Sequence, residues 1–281
     1  MVEVTIRKKE ITQEDTIQRL VSKLEKVYAS LSPMQALLGH EPGITVEGLR
    51  ATLDETEKIK APMKAKEPLL KALMTVALGY GFAREERRPP NNMSLVKIKA
   101  EIEGLRERAA EVFVNLGGDR YLLDRLKNNS YDSNDLRMLA QTCNPKTTKF
   151  IEPLAQIALN EDLMVKDIGK PPGGMSRRES EKETALIYRG ETIKALGAIS
   201  GSEVENILIK ALKSDQKRIV FAAIIELGHI GSTAAVEPLK QLLNENSDYK
   251  SQTEAAIEQI TERTMAKTVI KKKLSDIDLR L

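Results

Sequence analysis

Leu196, Gly197, Ile199, Leu208 and Leu212 recur as Leu227, Gly228, Ile230, Leu239 and Leu243, always 31 residues later. Self-similarity at an interval of roughly 20–50 residues marks a stacked repeat, so the pattern predicts one helix-turn-helix unit written twice between Arg189 and Asp248. Within the second helix of the first copy, Val204, Ile207, Leu208, Ala211 and Leu212 fall three and four apart and make one apolar stripe. A single helix pair is too small to bury its own stripes, so neighbouring pairs must stack into a continuous core. Ser202 and Glu205 have the spacing of a capping box at the start of that helix. Gly197 and Gly228 are expected to close the first helices in a left-handed conformation. Pro153 and Pro238 fit second helices that begin only a residue or two before them.

The same reading extends along the chain. Val2, Val4 and Ile6 alternate with polar residues and predict a short strand or extended arm. Ile17, Leu20, Val21, Leu24, Val27 and Leu31 predict an amphipathic helix, broken by Ser32-Pro33, Gly39 and Glu41-Pro42-Gly43. Another helix begins at Thr45, and Leu69 to Leu78 reads as a third that ends at Gly79-Tyr80-Gly81. Arg84 to Asn92, with Pro89-Pro90 and Asn91-Asn92, is a linker. A long helix over Leu95 to Leu116 closes at Gly117-Gly118-Asp119, and a short one carries Tyr121, Leu122, Leu123 and Leu126. Asn134 to Cys143 and Thr147 to Leu159 form the next pair, in which Ile151-Glu-Pro-Leu anticipates Val236-Glu-Pro-Leu. Two Pro and three Gly between Val165 and Arg178 predict a flexible loop, and Glu254 to Ile260 with Thr268 to Leu274 reads as a degenerate last pair. The expected fold is all-α: a right-handed α-solenoid of stacked antiparallel helix pairs. Residues 1–90 are an N-terminal helical cap or divergent first repeats, and 91–281 are repeats with a flexible insertion at about 160–183.

Composition narrows the chemistry. Only 4% of the 281 residues are aromatic and none is Trp, so the core must be built from Leu, Ile, Val and Ala. The 44 basic and 41 acidic residues leave a net charge of +3, too balanced to be a footprint for nucleic acid, which is disfavoured as a partner. The single Cys143 excludes an intramolecular disulfide and fits a reducing compartment. No apolar run approaches the roughly 20 residues of a membrane span, and the charged start from Met1 to Glu10 lacks the apolar stretch of a signal peptide. A cytoplasmic protein without a membrane partner is expected. His40, His229 and Cys143 are the only His and Cys, with neither Cys-x-x-Cys nor His-x-x-x-His spacing, so no metal, cofactor or catalytic residue is assigned. Gly79-Tyr80-Gly81 lacks a third glycine for a dinucleotide fingerprint, and Gly169-Lys170-Pro171 lacks the hydroxyl residue of a P-loop.

Leu227-Gly228, Ile230-Gly231, Ala235-Val236, Pro238-Leu239 and Leu242-Leu243 together resemble the HEAT repeat in its short bacterial and archaeal form. The resemblance covers residues 184–248 best and 95–160 more loosely. It implies that second helices line a concave, often ligand-binding side. Aligned on the Leu pairs, Asp124, Gln156, Lys210, Gln241 and Lys272 make one exposed row, and Leu123, Ala155, Ile209, Lys240 and Lys271 the next. Lys210, Lys240, Gln241, Lys271 and Lys272, with Arg177 and Arg178 from the loop, are the candidate partner-binding residues. The expected function is a non-catalytic scaffold or adaptor that binds another protein or an acidic peptide segment, its oligomeric state open. The alternatives are an enzyme subunit resembling the bilin lyases, with an apolar pocket near Cys143 and Tyr188, and a low-affinity nucleic-acid or phosphate binder using the basic C-terminal end. HEAT repeats share packing residues, so the likeness constrains architecture far more than activity.

Overall fold

A computed structural model describes residues 13–26, 46–78, 93–163, 165 and 176–278. The proposed N-terminal strand, the linker at 84–92, His40 and nearly all of the Pro-Gly loop lie outside the described residues. Among the described residues every regular element is helical, and the chain divides into two compact units, Met1–Ser130 and Tyr131–Leu281.

In the first unit, residues 13–26 form α1, followed by α2 (Val46–Glu57), α3 (Met63–Leu78), α4 (Met93–Asn115) and α5 (Gly118–Lys127). The predicted stripe of α1 is inward: Ile17, Leu20 and Leu24 are buried. α4 packs on α2 and α3, with Leu105, Val112 and Phe113 buried along it. α3 begins six residues before the expected Leu69 and contains Pro68. Proline removes the donor that would serve the Lys64 carbonyl, but Lys64 is exposed, so water can take its place. Gly117 has φ of 89° between α4 and α5, a left-handed turn that glycine adopts without strain.

The second unit contains α6 (Ser133–Thr142), α7 (Ile151–Ala158), α8 (Arg177–Ile199), α9 (Ser202–Ala211), α10 (Lys217–Ile230), α11 (Val236–Glu245) and α12 (Lys250–Asp278). α8 packs against α6, α7 and α10; α10 packs against α9 and α12; α11 packs against α12. Ile193, Leu196, Leu208, Ile219, Ile224, Leu227, Leu239 and Ile260 are fully buried between them. Each such side chain contributes roughly 1.5–3 kcal/mol on leaving water. Both prolines take the expected places, since α7 and α11 start two residues before Pro153 and Pro238, each after a 3-10 turn.

Three local expectations are corrected. Gly197 and Gly228 lie inside α8 and α10 rather than at left-handed ends. A Cβ on Gly197 would fall on the Glu226 carboxylate, and one on Gly228 would stand 2.7 Å from Gln259 Oε1 and 3.3 Å from the Ala256 Cα. These glycines allow close helix approach. Ser202 and Glu205 form no capping box, because Gly201 (φ 101°) takes the cap position and makes no side-chain bond. Glu205 instead reaches forward, accepting from the Ser232 backbone at 2.7 Å and its hydroxyl at 2.9 Å. The degenerate last pair is one helix: α12 runs unbroken for 29 residues, with neither Gly nor Pro inside it.

Thr253 is fully buried on α12, and its hydroxyl has no hydrogen-bond partner. An unpaired buried hydroxyl costs about 1–3 kcal/mol, and valine is its near-isostere. Thr253→Val should therefore stabilise by about 1 kcal/mol. A urea midpoint at or below that of the wild type would show that the hydroxyl is satisfied in solution.

Candidate partner-binding surface

The second helices bury one face and expose the other. Leu154, Ile157 and Ala158 of α7, Ile207, Leu208 and Ala211 of α9, and Leu239 of α11 point into the core. Helical geometry then turns Gln156, Lys210 and Gln241 to solvent, and all three are exposed. Ala155 and Ile209 of the adjoining row are half-buried, while Lys240 is exposed. Leu123 and Asp124 belong to the other unit.

Local bonds hold several of these groups. Lys240 pairs with Glu237 at 2.9 Å, and Gln241 donates to Glu245 at 2.8 Å. Pairs of this kind are worth only about 0.3–0.5 kcal/mol, so they leave both groups exchangeable by a partner. Arg177 and Arg178 are exposed in the first turn of α8, Arg177 paired with Glu181 at 3.2 Å. That turn is fixed by a true capping box: Ser176 Oγ accepts from the Glu179 amide at 3.2 Å, and Glu179 accepts from the Ser176 amide at 2.8 Å. Those bonds hold the Glu179 carboxyl below its ordinary pKa. Lys271 and Lys272 stand in α12 itself, so they occupy no separate second helix and the row ends at Gln241. The absence of a helix breaker between Ile260 and Lys271 is the physical reason.

The residues considered for chemistry are differently placed. Cys143 is 8% exposed, and burial pushes its thiol up to about 11, which suppresses the nucleophilic thiolate at neutral pH. Tyr188 is buried with its ring 5.8 Å from that of Tyr131. His229 lies in the last turn of α10, 3.7 Å from Glu226, whose carboxyl is pushed up by burial against the pull of the imidazole. An open depression of about 500 Å³ beside it is lined by Gly228, His229, Gln259, Glu262, Arg263 and Ala266. Among the described residues no three His, Cys, Asp or Glu side chains gather as metal ligands would.

Two features escaped the sequence reading. Three arginines cap helix ends from a distance: Arg106 donates to the Ala77 and Leu78 carbonyls, Arg189 to Ala158, and Arg263 to Gly228, His229 and Gly231. Each meets carbonyls that a helix C-terminus leaves unserved, where a cation also suits the dipole. Apolar side chains also remain exposed on α10 (Phe221, Ile225) and α12 (Met265, Val269, Ile270). The i, i+4 spacing of Phe221 and Ile225, off the Ile224–Leu227 stripe, was the signal for the first of these.

The described elements are thus all helical, and between α8 and α11 the Leu and Gly packing positions recur at an interval of 31 residues. Residues 182–258 match the family model for HEAT repeats, and this chain carries HEAT repeats across that stretch, from α8 into α12. No curated protein and no solved structure matches the chain. Among the described residues no helix is long and apolar enough to cross a membrane.

Proposed function

We propose that this protein is a non-catalytic scaffold or adaptor, a right-handed α-solenoid that binds another protein or an acidic peptide segment. HEAT repeats commonly serve as protein-interaction scaffolds, and that is the coarse basis for the reading. On this reading, the helix pairs from residue 91 onward are successive repeats interrupted at about 160–183, and residues 1–90 are a divergent cap. The single observation that carries it is the exposed polar row on α9 and α11: Lys210, Lys240 and Gln241, each opposite a buried apolar stripe. Such a surface costs no buried charge when empty and offers lysines to carboxylates on a partner. Arg177 and Arg178, at the start of α8, extend the basic character to the loop side of the repeat.

The test is reversal of charge on the row. A partner isolated with the full chain by cross-linking from position 210 is expected to lose affinity by about tenfold in Lys210→Glu/Lys240→Glu. The melting temperature should stay at its wild-type value, because both side chains are exposed. A partner that binds both proteins equally well would place recognition elsewhere on the molecule.

A further inference from the structure

The run from Lys58 to Lys66 spans the turn from α2 into α3 and holds four lysines in nine residues, with no acid among them. Lys58, Lys60 and Lys64 are exposed, and none has a carboxylate within ion-pair distance among the described residues. Elsewhere in this unit cations are matched: Arg19 and Lys23 meet Glu55, Lys71 meets Glu67, and Arg108 meets Glu57. The acids that flank the turn are thereby engaged. Glu57 is held by Arg108 at 2.6 Å and Asn115 at 2.7 Å, and Glu67 by Lys71 at 2.8 Å. Lys58 acts on Glu57 only through space. The turn is also fixed in place. The Lys58 and Ile59 amides donate to the Glu55 and Thr56 carbonyls. Gln13 of α1 donates to the Lys60 carbonyl at 3.2 Å, and Lys66 reaches the Leu116 carbonyl at 3.4 Å. A display of like charges already held in one arrangement loses little entropy when a partner meets it. Between the lysines, Pro62 is exposed and Ile59 and Met63 are half-buried.

We propose that this turn is a second docking surface, for a short peptide segment that carries acidic residues among apolar ones. Its carboxylates meet Lys58, Lys60 and Lys64, and its apolar side chains cover Pro62 and the open sides of Ile59 and Met63. Opposite charge steers the two together and fixes the register. The short length follows from what surrounds the lysines. Asp54, Glu55 and Glu57 precede them, Glu67 follows, and Glu14 and Asp15 are exposed on α1 beside Gln13. A DNA duplex carries a charge about every 1.7 Å along its axis, so it would run past the lysines into those carboxylates. A segment with only a few acids ends inside the patch. The surface belongs to the first unit and shares no residue with the row on α9 and α11, so either reading can fail without the other.

Fluorescence anisotropy with a short labelled peptide of alternating Glu and Leu tests this, at low salt where charge contacts are least screened. The reference is the full chain carrying Lys210→Glu/Lys240→Glu, which takes the other row out of the measurement. That protein is expected to bind the peptide. Adding Lys60→Glu/Lys64→Glu should weaken binding by about tenfold at an unchanged melting temperature, since both side chains are exposed. A peptide with Ser in place of Leu should bind more weakly, and equal binding overturns the apolar half of the proposal. A reference protein that does not bind the first peptide overturns the whole of it, and so does binding that survives the lysine reversal. A DNA duplex that binds more tightly than the peptide, through the same two lysines, overturns the choice of partner.

Discussion

Arg189→Ala is expected to destabilise the second unit by about 3 kcal/mol, a fall in melting temperature of about 10 °C. Arg189 is 2% exposed, and its guanidinium joins three segments that are distant in sequence. Nε donates to the Ala158 carbonyl at the end of α7 at 3.0 Å, and Nη2 donates to Glu161 at 2.8 Å and to the Ser214 hydroxyl at 3.3 Å. Ser214 in turn donates to Glu161 at 2.9 Å and accepts from the Gln216 amide that precedes α10. Truncation leaves the Ala158 carbonyl unserved and a void at the junction of α7, α8 and the α9–α10 turn. The effect has a pH signature. Hydrogen bonds from Arg189, and then from Ser214, hold the Glu161 carboxyl below its ordinary value of 4.5. A depressed folded-state pKa contributes stability that is present above the unfolded-state pKa and lost as pH falls through the folded one. The gap between wild type and Arg189→Ala should therefore narrow when urea unfolding is repeated below the ordinary carboxylate range. A gap that does not change with acidification would assign the whole effect to packing. Glu161 is half exposed, so its share is screened and packing should supply the larger part at neutral pH.

That node also shows what the sequence can and cannot disclose. Leu196, Leu208, Leu227 and Leu239 were readable because every stacked pair needs bulk at the same place, so packing repeats in the chain as it does in space. Pro153 and Pro238 were readable because a proline constrains its own neighbours. Arg189, Arg106 and Arg263 were not, since a guanidinium looks like any surface cation until the carbonyls it meets are known. Glu205 misled for the related reason that its spacing from Ser202 fits a local bond, whereas its partner Ser232 lies 27 residues away. The row on α9 and α11 was legible as far as exposure goes, because helix periodicity alone turns Lys210 and Gln241 outward. Its expected continuation onto Lys271 and Lys272 failed with the last helix pair. A pair there would need a helix breaker between Ile260 and Thr268, and α12 has neither Gly nor Pro in that stretch.

Gly228→Leu should destabilise by about 3 kcal/mol, whereas Gly197→Ala should be close to neutral, although the two glycines are repeat equivalents. The difference lies in what each faces. At Gly197 a new methyl meets the Glu226 carboxylate, the far end of a side chain that can turn toward His229. Alanine is also favoured over glycine inside a helix by about 1 kcal/mol, which offsets that displacement. At Gly228 the obstacle includes the Cα of Ala256, and a backbone can yield only if α10 and α12 separate. A leucine forces that separation, exposing Ala256 and Ile260 and drawing the Gly228 carbonyl away from Arg263 at 3.0 Å. Gly228→Ala should lie between, with overpacking of about 2 kcal/mol reduced by the gain in helix propensity. Urea midpoints for the three variants test the ordering, and equal values at both positions would mean that the glycines act through backbone freedom after all.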